Sequence, residues 1–175
     1  YFTMEYLEGT ELRAYATENR PPTGEPGFDD YAERIAYIFH QVADGLAVVH
    51  AAGVIHRDIK PENIFVRPGR FPRAKLLDFG HARDDDDQDL TRTGTVMGTA
   101  LYIPPEQATA SGITPAADLY AVGCCLFEAL VGAPPFTGAN VIEVLMGHIG
   151  KPAPDPRTKE PRTPARLAEL CLSLM

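Results

Sequence analysis

Between His56 and Asp78 the chain carries two short polar stretches, joined by a segment that has to turn back on itself. The first stretch, His56-Arg57-Asp58-Ile59-Lys60-Pro61-Glu62-Asn63, reads as a loop. Ile64-Phe65-Val66 and Lys75-Leu76-Leu77 then read as two short strands, and the turn-rich link Arg67 to Arg73 makes them a β-hairpin. A hairpin lays its second strand beside its first. Asp78, fifteen residues after Asn63, is therefore expected back beside the first loop. Two carboxylates, an ammonium and an amide (Asp58, Asp78, Lys60, Asn63) are predicted to share one small volume.

The rest of the pattern is mainly helical. Leu12 to Glu18 suits a short helix, and Arg20 to Gly27, with its prolines and glycines, suits a loop. Asp29 or Asp30 is then expected to cap a long helix with Ile35, Ile38, Phe39, Val42, Leu46 and Val49 along one buried stripe. Ala51 to Gly53 ends it. Ala116 to Val131 is apolar nearly all round, as in a helix inside a core, and Pro134-Pro135 stops it. Asn140 to His148 and Pro164 to Leu174 read as two further helices, with no internal repeat. The expected fold class is α+β, a mainly helical body with a small hairpin.

Composition narrows the function classes. The 175 residues carry a net charge of −8, which argues against a nucleic-acid partner, since such a surface is basic. The apolar run near Leu119 to Val131 is too short to cross a bilayer, so no membrane contact is expected from this segment. Cys124, Cys125 and Cys171 lack metal-ligand spacing and read as reduced, buried thiols of a cytoplasmic protein. His40, His50, His81 and His148 likewise lack metal spacing and read as surface or packing residues. The run Asp84-Asp85-Asp86-Asp87, with Asp89, reads as a solvated loop. The first residue is Tyr1, which suggests a piece of a longer product, and a membrane anchor elsewhere is compatible with it.

The two polar stretches match the pattern H-R-D-x-x-x-x-N followed by D-F-G (Asp78-Phe79-Gly80), and thereby resemble the serine/threonine protein kinases, most closely their bacterial branch. Phosphoryl transfer from ATP needs hard oxygen ligands for a divalent metal, a group to receive or orient the incoming hydroxyl proton, and positive charge on the migrating phosphoryl. The resemblance implies that Asp58 is the catalytic base or hydroxyl-orienting group, that Lys60 contacts the transferring phosphate, and that Asn63 and Asp78 bind Mg2+ (or Mn2+). His56 and Phe79 resemble the lower half of a hydrophobic spine, with Gly80 completing the second motif.

Met4-Glu5-Tyr6-Leu7-Glu8-Gly9 is similar to the kinase hinge. This implies Met4 as gatekeeper, the Glu5 carbonyl and Leu7 amide facing adenine, Glu11 reaching the ribose, and Phe65 closing the adenine floor. Lys60, Glu62, Asn63 and Asp78 complete the ATP-binding set. The stretch Thr91 to Gln107 resembles the activation and substrate-docking segment, with Pro104 where the family usually has Ala in Ala-Pro-Glu. There Thr99 is expected to bridge Asp58 and Lys60, and Thr91 and Thr93 to be autophosphorylated, with Arg57 pairing to the phosphothreonine. Asp118 is expected to tie the backbone near His56 and Arg57, and Glu106 to await an arginine partner beyond this chain.

The resemblance divides the chain into a hinge (1–12), the family's helices D and E with the catalytic loop (13–77), an activation segment (78–106) and its helices F to H (107–175). It implies the C-terminal lobe of the fold, with the N-lobe absent. Expected partners are protein substrates and a second kinase copy for phosphorylation in trans. The isolated stretch is expected to transfer phosphate poorly, because half of an ATP site precedes the hinge in this family. Two alternatives are a small-molecule phosphotransferase, disfavoured by Lys60 and the Gly98–Glu106 stretch, and a non-catalytic kinase-like module, disfavoured by the intact Asp58, Asn63 and Asp78.

Overall fold

The computed structural model describes residues 8–78, 96–109 and 111–175. Three antiparallel strands form one sheet in the order β1-β2-β3: β1 (Thr10–Glu11), β2 (Ile64–Arg67) and β3 (Arg73–Leu76). Around it lie α1 (Leu12–Asn19), α2 (Phe28–Ala51), α3 (Val96–Ala100), α4 (Pro105–Ala108), α5 (Pro115–Val131), α6 (Val141–Gly150) and α7 (Ala165–Leu174). The α+β class and the helical dominance agree with the sequence.

The predicted hairpin is present, with Ile64 opposite Leu76 and Arg67 opposite Arg73. Ile64 and Val66 are buried while Phe65 turns to the other face, the two-residue alternation of a strand packed on one side. Leu77 falls just outside the strand. β1 is unexpected: Thr10 pairs with Val66 and Glu11 with Phe65. Two residues are too few for alternation to register in a sequence.

Ile35, Ile38, Phe39, Val42 and Leu46 form the buried stripe of α2, whereas Val49 is only half-buried. The expected cap is corrected. Gly27 occupies the N-cap with φ 95°, and Asp29 and Asp30 sit inside the first turn, without a capping bond. Their charges still favour the positive end of the helix dipole. α5 runs through the centre. From Tyr120 to Leu130 every residue is buried, and Gly132 ends the helix in the left-handed conformation at φ 89°. Cys124, Cys125 and Cys171 are free and buried there; burial pushes their thiols up, Cys171 to about 12. Among the described residues no helix is long and apolar enough to cross a membrane.

Asp118, in the first turn of α5, holds the polar loop in place. Only 1% of it is exposed. Its Oδ2 accepts from the His56 amide at 2.8 Å and its Oδ1 from the Arg57 amide at 2.8 Å, as the sequence suggested. His50 Nε2, at the end of α2, lies 2.7 Å from Oδ2, a partner that the sequence reading missed. Two backbone amides, one buried and one half-buried, and a buried carboxylate thus settle their hydrogen bonds together.

At the other end of the body, α6 is capped by Asn140, whose side chain accepts from the Glu143 amide at 3.0 Å. His148 on α6 is buried between Tyr120, whose hydroxyl meets Nδ1 at 2.7 Å, and Phe136, at 4.8 Å between ring centroids. Burial lowers its pKa to about 4, against a weaker upward pull from the backbone of Leu101 and Ala100.

Two outcomes follow from these contacts. Asp118→Ala strands two backbone amides and is expected to lower unfolding free energy by about 3 kcal/mol or more in urea denaturation, with Asp118→Asn milder; losses below about 1 kcal/mol in both would contradict the anchoring role. For His148 the folded-state pKa lies below the unfolded value, so protons bind the unfolded chain first. Its contribution is intact above about pH 6.5 and is lost towards pH 4, by at most about 3 kcal/mol. A stability–pH curve for His148→Gln should be flatter over that range than the wild-type curve, and superimposable slopes would refute the assignment.

Candidate active site

The loop from His56 to Asn63 is fixed at both ends. Asp118 holds its first two amides, and a 3-10 turn over Pro61–Asn63 leads into β2. The His56 ring is fully buried and places Nε2 2.9 Å from the Leu77 carbonyl. A carbonyl only accepts, so Nε2 carries the proton. The Leu77 amide in turn donates to the Asn63 carbonyl at 2.8 Å. Leu77 is therefore bonded to both ends of the loop, and Asp78 follows it directly. This is the return that the hairpin spacing predicted.

Three of the four expected side chains meet through direct hydrogen bonds. Lys60 Nζ lies 2.7 Å from Asp58 Oδ2, and Asn63 Nδ2 lies 2.9 Å from the same oxygen and 2.7 Å from the Asp58 carbonyl. Both donors use one carboxylate oxygen. Asp58 Oδ1 takes no hydrogen bond among the described residues, which leaves it open to an incoming hydroxyl. Asp78 is exposed and adopts φ 57°, while Arg57, next to Asp58, adopts φ 66°. Left-handed backbone at non-glycine residues is costly and persists where surrounding contacts hold it, here the Asp118 bond to Arg57 and the Leu77 clamp before Asp78.

Thr99, on α3, lines a small cleft with Arg57 and Asp58. Lys60 reaches Asp58 directly, and Thr99 bonds to neither among the described residues. Gln107 on α4 donates to the Arg57 carbonyl at 3.2 Å, joining the docking stretch to the loop. Glu106 is half-buried on α4. Glu11 and Phe65 are cross-strand partners on one face of the sheet. Met4, Glu5, Leu7, Phe79, Gly80, Thr91 and Thr93 lie outside the described residues, as does the aspartate run.

The sequence missed one network altogether. Arg13 of α1 binds Glu62 of the loop, donates through Nε to Glu128 of α5 at 2.9 Å, and donates to the Tyr102 hydroxyl at 2.5 Å; Tyr102 also donates to Glu128. Burial and then Glu128 raise the Tyr102 pKa, so the hydroxyl keeps its proton and donates. The network ties α1, the loop, the docking stretch and α5 together. It also commits the Glu62 side chain to Arg13. The partners lie 49, 89 and 115 residues from Arg13, beyond the reach of any spacing rule.

The donor set fits a magnesium or manganese ion. Asn63 uses its amide nitrogen on Asp58, which leaves its oxygen, and Asp78 offers an exposed carboxylate. Both are hard oxygen ligands. Two protein ligands, with phosphate and water filling the other positions, is the usual supply at such sites. No group of three or more His, Cys, Asp or Glu side chains able to hold a metal occurs among the described residues.

The protein kinase domain matches residues 1–175. The chain is 40% identical over 171 residues to serine/threonine-protein kinase PknD of Mycobacterium tuberculosis (strain ATCC 25618 / H37Rv), covering 97% of the chain and 24% of that protein. It is 37% identical over 167 residues to serine/threonine-protein kinase PkaA of Streptomyces coelicolor, covering 95% and 28%. It is 35% identical over 175 residues to serine/threonine-protein kinase Pkn1 of Myxococcus xanthus, covering 98% and 24%. The chain spans about a quarter of the length of these curated relatives. With the family's domain matching from end to end, the chain belongs to the protein kinase family.

Proposed function

We propose that the protein bearing this chain is a serine/threonine protein kinase, which transfers the γ-phosphoryl group of ATP to serine and threonine hydroxyls of proteins. The observation that carries this reading is the half-open carboxylate of Asp58. One oxygen is fixed by Lys60 and Asn63, and the other is unclaimed among the described residues. Oδ1 accepts the hydrogen bond of an incoming hydroxyl and aims its oxygen at the phosphoryl group. Lys60 stays close enough to place positive charge on the migrating group while screening Asp58. Asn63 and Asp78 would hold the divalent metal, which would supply positive charge to offset that of the phosphates. Phe65 and Glu11, paired across the sheet, belong to the nucleotide side, with Met4, Glu5 and Leu7 meeting the adenine edge. Glu62 supports the loop through Arg13 and offers the nucleotide its backbone.

Thr91 and Thr93 are the proposed autophosphorylation sites, modified in trans by a second copy, with Arg57 receiving the phosphate. Thr99 closes on Asp58 once substrate is present, and Glu106 braces the docking stretch. An ATP-dependent enzyme of this kind works in the cytoplasm or on its face of a membrane.

The test uses the full-length protein with Mg-ATP and a generic protein substrate. Asp58→Asn is expected to lower phosphate transfer by at least about 100-fold while ATP affinity changes by less than about threefold. Equal transfer by both proteins would remove Asp58 from its role. Mass spectrometry of the active protein should find phosphate on Thr91 or Thr93, and none on either in the Asp58→Asn protein.

A further inference from the structure

The corner where the turn between β2 and β3 meets α2 differs in charge from the chain as a whole. From Ile64 to Leu77 there is no acidic residue, whereas Arg67, Arg70 and Arg73 all fall there, in a protein of net charge −8. All three arginines are exposed, and none bonds through its side chain to a carboxylate among the described residues. Arg67 stands directly opposite Arg73 at the base of the turn. Like charges in that position repel, which is a cost the hairpin carries without relief from its own carboxylates. Arg70 lies over the Phe71 ring, 5.6 Å from its centroid. Phe71 is 70% exposed and meets Tyr37 of α2, itself 44% exposed, edge to face at 6.5 Å.

Gln41 holds this tip on α2. Its Nε2 donates to the Pro72 carbonyl at 3.0 Å, and its Oε1 accepts from the Ala74 amide at 3.2 Å. β3 is an edge strand, and Gln41 occupies its outer backbone groups beside the tip. A partner therefore meets side chains here and does not add a strand. Guanidinium groups take carboxylates through paired N–H bonds, and arginine with aromatic side chains is the composition of protein–protein contacts. An anionic bilayer suits the corner less. Glu33 and Asp44 are both exposed and stand one and two turns from Tyr37 on the same side of α2, with Asp44 only 3.6 Å from His40. A flat membrane would be pressed against those acids as well as the arginines. A narrow peptide need not approach either acid.

We propose that this tip docks an acidic segment of a protein partner, its carboxylates on Arg67, Arg70 and Arg73 and an aliphatic side chain on the rings of Phe71 and Tyr37. The site goes beyond the kinase reading and is independent of Asp58. The probe is an octapeptide of glutamates around two central leucines, titrated calorimetrically into the full-length protein. It should bind with a sub-millimolar Kd at about 50 mM salt, and at least about fivefold more weakly at about 500 mM. Serine in place of the leucines should cost at least about threefold, and lysine in place of the glutamates should abolish binding at this site. Arg70→Gln combined with Arg73→Gln should weaken the glutamate peptide at least about fivefold, and Phe71→Ser at least about threefold. These side chains are exposed, so the variants should melt with the wild type, which thermal unfolding checks. Asp58→Asn should bind the peptide as the wild type does, which separates this surface from the catalytic site. Vesicles of about one-third phosphatidylglycerol in phosphatidylcholine should not sediment the protein through this corner. Three results would each overturn the proposal: no peptide binding up to about 2 mM, wild-type affinity in the folded double-arginine variant, or vesicle binding that is lost in that variant.

Discussion

A buried carboxylate at the head of a helix underlies the candidate site. Asp118 takes the two backbone amides that begin the His56–Asn63 loop and the ring of His50. With those amides satisfied, the loop can hold Arg57 in a left-handed conformation, and Asp58 faces Lys60 and Asn63 instead of solvent. The dependence runs from α5 outward: core helix, then anchored loop, then an oriented carboxylate.

A second tie adds to the first. Leu77 bonds to His56 through its carbonyl and to Asn63 through its amide, so the hairpin and the loop are locked in register. Arg13 adds the third restraint through Glu62, Glu128 and Tyr102. Each restraint uses a polar group that burial would otherwise penalise, so stabilising the fold and orienting the site are one requirement. Helices and sheet hold the loop, and Phe65 and Glu11 pair across one face of that sheet.

How much of this was legible depends on distance along the chain. The loop, its return at Asp78 and the α2 stripe were readable because their residues are neighbours in sequence or recur at helical spacing. Asp118 was readable only through the family resemblance. Arg13 was not, because its partners come from three distant segments and an arginine on a short helix looks like a solvated one. The cap of α2 was misread because two aspartates in a first turn look like caps, and the glycine before them supplied the conformation instead. β1 was too short to show a period.

The three buried thiols have a consequence for how this molecule's motions can be read. Cys124 and Cys125 lie mid-way along α5 and Cys171 sits against it from α7, all three shielded and held protonated. A protonated, inaccessible thiol does not react with alkylating reagents. Fraying of α1 or of the loop ends leaves them covered, so modification waits for α7 to lift from α5 or for α5 itself to open. The alkylation rate of the native cysteines is thus an internal clock for opening of the α5–α7 contact, and needs no added probe.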